Sequence, residues 1–175
     1  MAYKITSQQS LMNLAAFYCS KRETSRAKLG MYLKRKCREN DIEDSISMKW
    51  IPEVLDFCEE SRLVNDQRYT EILIRDYTTR GKGFRYIEQK LKEKGIPKEL
   101  RIIPQNVEDE FERALKLARK KLNESKNKVD QKLKRSPHSR LNPEFELRNR
   151  LLQKLISSGF SLEVSKRAIG QVLKD

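Results

Sequence analysis

Three observations predict an all-α protein arranged as an elongated array of three tandem three-helix repeats. Apolar residues recur at spacings of three and four along most of the chain, the period of one helix face. The stretch from Arg62 to Ile96 has two partial copies. Leu29, Leu33, Lys34 and Lys36 align with Ile87, Leu91, Lys92 and Lys94 at one constant offset. Ile87, Lys90, Leu91, Gly95 and Ile96 align with Leu151, Lys154, Leu155, Gly159 and Phe160 at a second, slightly longer one. Finally, 37% hydrophobic and 36% charged residues in a chain of 175 suit thin cores beneath ionic surfaces. One such unit is too small to bury its own apolar faces, so neighbours must stack. The expected repeats cover 1–65, 66–106 and 107–175.

In chain order, Thr6 to Gln9 has capping-box spacing, and Leu11, Leu14, Ala15 and Tyr18 follow at helical intervals, giving a first helix from about Ser7 to Cys19. Ser25 is an N-cap for a second helix with Leu29, Leu33 and Cys37 on one side. A polar, acidic loop over 39–47 precedes a third helix carrying Trp50, Ile51, Val54, Leu55 and Cys58. Pro52 lacks an N–H and is tolerated in a first turn, so this helix is expected to start between Met48 and Ile51. Asn65-Asp66 favours a turn or N-cap. Tyr69, Ile72, Leu73 and Tyr77 then form one apolar stripe, Gly81 and Gly83 interrupt it, and Phe84, Ile87 and Leu91 form the next. Gly95 stands where a helix end favours a left-handed residue, and Ile96-Pro97 cannot continue the helix. Asp66, Gly83, Gly95 and Gly159 are therefore read as structural turn positions.

Phe111, Ala114, Leu115, Ala118 and Leu122 carry the following helix. Beyond Leu122 the stripe thins to Val129 and Leu133, and the basic segment near 123–142 is either a helix extending into solvent or a disordered, extended link. Asn142-Pro143 joins an N-cap residue to a proline suited to the first helical position, restarting the helix at Phe145. Ser161 caps a last helix bearing Val164, Ala168, Ile169, Val172 and Leu173.

The formal net charge of +13 is the strongest compositional fact, and it bears on partners rather than on fold. Nucleic acid is the natural polyanion, because no apolar run approaches the ~18 residues of a membrane-spanning helix. Residues 1–40 hold nine Lys/Arg against two Asp/Glu, and 116–154 hold thirteen against four, whereas 41–66 hold two against eight. Much of the basic excess lies on or beside the middle helix of each repeat. The candidate contacts to a polyanion are Arg26, Lys28, Lys34 and Arg35, then Arg80, Lys82, Arg85 and Lys92, then Arg148, Arg150 and Lys154. Any one of these alone reads equally well as part of a solvated helix face; repetition and sign together favour a polyanion-facing surface. With ~6 phosphate contacts, log K would fall with log salt at a slope of about −5. Base-specific reading is not indicated, since no Asn/Arg constellation maps onto a base code and stacking aromatics are few. The acidic segments from Asp41 to Asp44 and from Glu53 to Glu60 repel DNA and suit a protein partner with basic patches.

Catalysis has little to work with. His138 is the one histidine, so no triad or imidazole zinc site can be assembled. Arg80-Gly-Lys-Gly83 is glycine-rich but lacks the phosphate-loop pattern and a preceding strand, and reads as a turn. The widely spaced Cys19, Cys37 and Cys58 read as reduced buried thiols. The expectation is a cytoplasmic, monomeric protein without cofactor or metal, and no signal peptide is evident in its first ten residues.

These residues resemble the RecX family, bacterial regulators of the RecA recombinase. The most specific match is Leu63-Val64-Asn65-Asp66, Arg68-Tyr69, Arg80-Gly81-Lys82-Gly83, Ile87, Leu91 and Lys94-Gly95-Ile96. Ser158-Gly159-Phe160-Ser161 looks like the family's glycine-phenylalanine turn, and Ser25 with Leu29 looks like the start of its second helix. The likeness covers nearly the whole chain; Arg62 replaces a glycine common in the family, and the stretch from Lys120 to Arg140 is poorly matched. The resemblance implies a curved array of three-helix repeats lying along the RecA–DNA filament. It further implies restraint of filament extension, ATPase, strand exchange and the co-protease activity behind the SOS response, with roles in recombination and DNA repair. It implies no catalytic residues. The competing expectation is a free-standing, sequence-nonspecific binder of single- and double-stranded DNA.

Overall fold

Apolar stripes of helical period become eight α-helices and one short 3-10 helix in the computed structural model, which describes residues 4–104, 106–135 and 143–174; no strand occurs among them. The all-α expectation holds. His138 and residues 136–142 of the basic segment lie outside the described residues.

The chain divides into two compact units, Met1–Leu73 with Leu91–Ile102, and Ile74–Lys90 with Ile103–Asp175. The first contains α1 (Gln8–Lys21), α2 (Arg26–Glu39) and α3 (Asp44–Glu60), the beginning of α4 (Asp66–Thr79), the end of α5 (Phe84–Glu93) and the 3-10 turn Lys98–Leu100. Its core is built from Leu11, Leu14, Ala15, Leu29, Leu33, Val54 and Val64, with Trp50 and Leu55 partly buried beside them. The second contains the end of α4, the beginning of α5, α6 (Val107–Arg135), α7 (Pro143–Ser157) and α8 (Leu162–Val172). Its core joins Phe111, Ala114 and Ala118 of α6 to Leu151 and Leu155 of α7, Phe160, and Val164, Ala168 and Ile169 of α8. The 66–106 segment is thus shared between the two units.

Two helix starts differ from expectation. The capping box of α1 lies one residue later than Thr6–Gln9: the Ser10 N–H donates to Ser7 Oγ (3.2 Å) and the Ser7 N–H donates to Ser10 Oγ (3.1 Å). Serine at both ends closes this box without the glutamine. Helix α3 begins at Asp44 rather than between Met48 and Ile51, and Pro52 lies inside it. Pro52 and Met48, one turn before it, are both exposed, so the carbonyl deprived of a donor faces water. The opposite face holds the helix through buried Ser47, Val54 and Cys58. Helix α6 continues through Arg135.

Five helix ends close in one way. A residue with positive φ, Asp41 (56°), Arg62 (55°), Gly81 (67°), Gly95 (71°) or Gly159 (89°), ends each turn. The next N–H then donates five residues back: Ile42 to the Cys37 carbonyl, Leu63 to Cys58, Lys82 to Tyr77, Ile96 to Leu91 and Phe160 to Leu155, all at 2.9–3.2 Å. This is the left-handed cap anticipated for Gly95. Asp41 and Arg62 adopt it with a Cβ, which costs roughly 1–2 kcal/mol.

Cys19 and Cys58 are closer than their spacing suggests. A hydrogen bond with Cys58 and burial push the Cys19 thiol up, while burial alone does the same to Cys37. All three are free, and Cys19 is only half-buried.

These closures generate a graded set of stability changes. Gly95→Ala should destabilise by about 2–4 kcal/mol, combining left-handed strain with a Cβ only 2.4 Å from that of Ala27. Arg62→Gly should stabilise by about 0.5–1 kcal/mol, relief of that strain outweighing the added freedom of the unfolded chain. Gly170→Ala, whose Cβ meets nothing within 4 Å, should also stabilise by roughly 0.5–1 kcal/mol. Urea unfolding of the three variants measures the order.

Candidate nucleic-acid interface

Helices α2 and α5, which carry Arg26, Lys28, Lys34, Arg35, Arg85 and Lys92 of the residues predicted to face a polyanion, have first turns that are built alike. In the first unit, Ser25 caps α2 by accepting from the Lys28 N–H (3.2 Å), and its hydroxyl donates to the Lys94 carbonyl (2.5 Å) at the end of α5. The Arg26 N–H donates to Asp66 Oδ1 (2.8 Å). Gly95 lies against Ala27, leaving no room for a side chain. In the second unit, the Gly83 N–H donates to the Ser158 carbonyl (2.9 Å), the Arg85 N–H to the Gly159 carbonyl (3.2 Å), and the Phe84 N–H to Glu110 Oε1 (2.8 Å). A Cβ on Gly83 would lie 2.4 Å from the Gly159 carbonyl, so Gly83 is needed for close approach, whereas Gly81 supplies the left-handed turn.

The two arrangements correspond under the offsets read from sequence. Ser25 and Arg26 map onto Gly83 and Phe84 by the first offset, and Lys94 and Gly95 map onto Ser158 and Gly159 by the second. Asp66 and Glu110 play the same part, each accepting from an N–H that no helical carbonyl can reach. Helix N-termini are natural anion sites. Here the protein's own carboxylates occupy the starts of α2 and α5, so any phosphate must be met by side chains. Sequence reasoning does not single out Glu110, which is only 6% exposed; it stands among Glu108, Asp109 and Glu112, and nothing local distinguishes it.

The eleven predicted basic residues fall into two groups. Arg26 is engaged within the fold, its guanidinium reaching Asp56 (2.6 Å) and Glu59 (2.5 Å). Those two acids belong to the 53–60 segment expected to face a basic partner, and part of its charge is met internally. Arg80 pairs with Asp76 (3.0 Å), Arg150 with Glu146 (2.7 Å), and Arg35 and Arg148 make long contacts to Glu39 (3.6 Å) and Glu144 (3.8 Å). These four are single-turn helical pairs, worth about 0.3–0.5 kcal/mol each and easily exchanged. Lys28, Lys34 and Lys92 in the first unit, and Lys82, Arg85 and Lys154 in the second, have no acidic partner among the described residues. Lys34, Lys92 and Arg85 are exposed. Lys82 lies over the Tyr86 ring (4.5 Å), which packs edge-on against Tyr77 (5.5 Å); burial pushes the Tyr77 hydroxyl up. Each joint sets two helix ends that carry cations against each other: the Ser25–Lys94 bond sets the first turn of α2, with Lys28, against the last turn of α5, with Lys92. The Arg85–Gly159 bond does likewise for Arg85 and the end of α7, where Lys154 lies.

No group of His, Cys, Asp and Glu among the described residues is placed to hold a metal, and no helix among them is long and apolar enough to cross a membrane.

Residues 65–101 match the family described as RecX, second three-helix domain. The regulatory protein RecX of Streptococcus uberis is 30% identical over 161 residues, covering 91% of this chain and 54% of the relative. The chain spans about half the length of the curated relatives it matches. Among solved structures, RecX from Lactobacillus salivarius superposes with a TM-score of 0.67 at 22% identity, over 96% of this chain and 97% of that one. A second crystal structure of regulatory protein RecX gives 0.71 at 21% identity, over 92% and 72%.

The internal carboxylate caps can be tested through stability. Glu110→Ala strands a partly buried Phe84 N–H and should cost about 1–3 kcal/mol. Glu110→Gln keeps an acceptor and should lose only ~0.3–1 kcal/mol of charge–dipole attraction. Chemical denaturation of the two variants separates a hydrogen-bonding role from simple side-chain packing, under which they would differ little.

Proposed function

We propose that this chain, which belongs to the RecX family, is a non-enzymatic regulator that binds the RecA–single-stranded-DNA filament and restrains its extension, ATPase, strand-exchange and co-protease activities in the cytoplasm. The observation that carries this reading is the retention, in each compact unit, of cations without acidic partners on or beside α2 and α5, the two helices whose N-terminal anion sites are already filled. Lys28, Lys34 and Lys92 serve the first unit; Lys82, Arg85 and Lys154 serve the second. Such side chains reach phosphates without a base code, which suits a partner whose constant feature is a regularly spaced backbone. Arg35, Arg80, Arg148 and Arg150 join them when their helical partners release them. Arg26 supports the fold. The three-repeat division at 65/66 and 106/107 belongs to the same proposal. So do the monomeric state and the absence of a cofactor. Relatives named as regulatory proteins agree with this reading.

A second reading rests on the net charge of +13: a free-standing DNA-binding protein would need no recombinase. Gel-shift titration separates the two. The regulator should bind the RecA filament more tightly than bare single- or double-stranded DNA, while the second reading expects bare DNA to bind at least as well.

Added to RecA on single-stranded DNA, the chain should lower ATP hydrolysis at substoichiometric amounts; an unchanged rate at every ratio would remove the inhibitory role. Replacing Lys82 and Arg85 by Glu should weaken filament binding with helical content unaltered. The salt slope should then fall by about 2, roughly 1 for each phosphate that is no longer neutralised. Unaltered binding would show that the binding surface lies elsewhere.

A further inference from the structure

Tyr18 of α1 and Tyr32 of α2 stack with ring centroids 4.1 Å apart and planes inclined by 26°. Phe17, next to them, is 61% exposed and outside the first unit's core. Cations surround these rings: Lys21 lies 5.3 Å from the Phe17 centroid, Arg22 lies 5.2 Å from that of Tyr18, and Arg35 lies 5.7 Å from that of Tyr32. The six side chains line one hollow of about 310 Å³, to which no acidic residue contributes. Lys21 and Arg22 have no acidic partner among the described residues, and Arg35 has only its long contact to Glu39.

A packed core does not need this composition. An exposed aromatic ring with positive charge on its margins is matched by a flat, electron-rich ligand that carries negative charge on its perimeter. A nucleotide of an unpaired strand has that form, the base stacking on a ring while its phosphates take the cations. A duplex keeps its bases stacked on one another and offers no free face. A protein strand could occupy the hollow, but Lys21, Arg22 and Arg35, only the last of which has even a long contact to an acid, would then need a run of carboxylates and would leave the rings unused.

We propose that Phe17, supported by the Tyr18–Tyr32 stack, is a base-stacking platform for single-stranded nucleic acid, with Lys21, Arg22 and Arg35 taking the flanking phosphates. The site lies wholly within the first unit and includes one residue, Arg35, of the basic set described above. It shares with the proposed function Arg35 and the choice of nucleic acid as the polyanion. It requires no recombinase.

The test uses the full chain and three fluorescein-labelled probes of equal phosphate number: an oligo-dT strand, the same strand with abasic residues, and a duplex. Wild type should bind oligo-dT about tenfold more tightly than the abasic strand, the gain expected from stacking one base. Phe17→Ala and Phe17→Leu should abolish that preference and leave affinity for the abasic strand unchanged. Phe17→Trp should retain it, with the new indole fluorescence quenched by oligo-dT and not by the duplex. Equal affinity for oligo-dT and abasic strands in wild type would overturn the platform, as would a preference that survives in Phe17→Ala. Suppression of the RecA ATPase, measured on the same variants, tests the regulatory reading separately. A chain that inhibits RecA but ignores bases disproves the platform alone, and one that prefers bases but leaves RecA unaffected disproves inhibition alone.

Discussion

The constraint on which the rest depends is the need to satisfy the first N–H groups of α2 and α5 away from bulk water. Both are met by a carboxylate from the first turn of a later helix: Asp66 of α4 for Arg26, and Glu110 of α6 for Phe84. Both lie beside a left-handed glycine turn whose missing Cβ allows close approach, of Gly95 to the Ala27 side chain and of Gly159 to the Tyr86 backbone. A helix of ten residues such as α5 is marginal alone. Held at its start by Glu110 and the Ser158–Gly159 carbonyls, and closed at its end by Gly95, it needs few apolar contacts, and Ile87 and Leu91 are fully buried. This explains how 66–106 can be shared between two compact units without a core of its own.

Filling those helix starts internally also shapes the surface. Their partial positive charge is already neutralised, so what remains available for an external anion is a set of lysine and arginine heads on flexible stems. Arg26 adds to the internal side of the balance, its backbone and guanidinium together meeting three acids. The acidic 41–66 stretch is therefore partly structural.

Much of this is legible in the sequence, and the limits have physical causes. The helical period and the two constant offsets are readable because equivalent turns need the same glycines and the same apolar spacing. The offsets carry even to hydrogen-bond partners: Ser25–Lys94 predicts Gly83–Ser158. Pro52 misleads because its effect depends on which face it takes, and exposure is not written locally. Arg26 looks like a free cation because its acidic partners lie 30 to 40 residues away. Glu110 is hidden among neighbouring acids. The aromatic residues look too few for stacking because Phe17 and Tyr32 lie on different helices, and only packing of α1 against α2 gathers them.

The joint between α5 and α7 is made largely from main-chain atoms. The Gly83 and Arg85 N–H groups donate to the Ser158 and Gly159 carbonyls, so neither the serine hydroxyl nor the guanidinium takes part. The exposed side chain at 85 can consequently be exchanged while the linkage is preserved, provided that the two glycines and a capping acid persist, whereas Ser158 is only 2% exposed and is confined to a small side chain. Evolution is thus given an architecture whose charge pattern can be rewritten almost independently of its assembly. Mutational robustness and adjustable partner affinity then arise from the same pair of backbone hydrogen bonds.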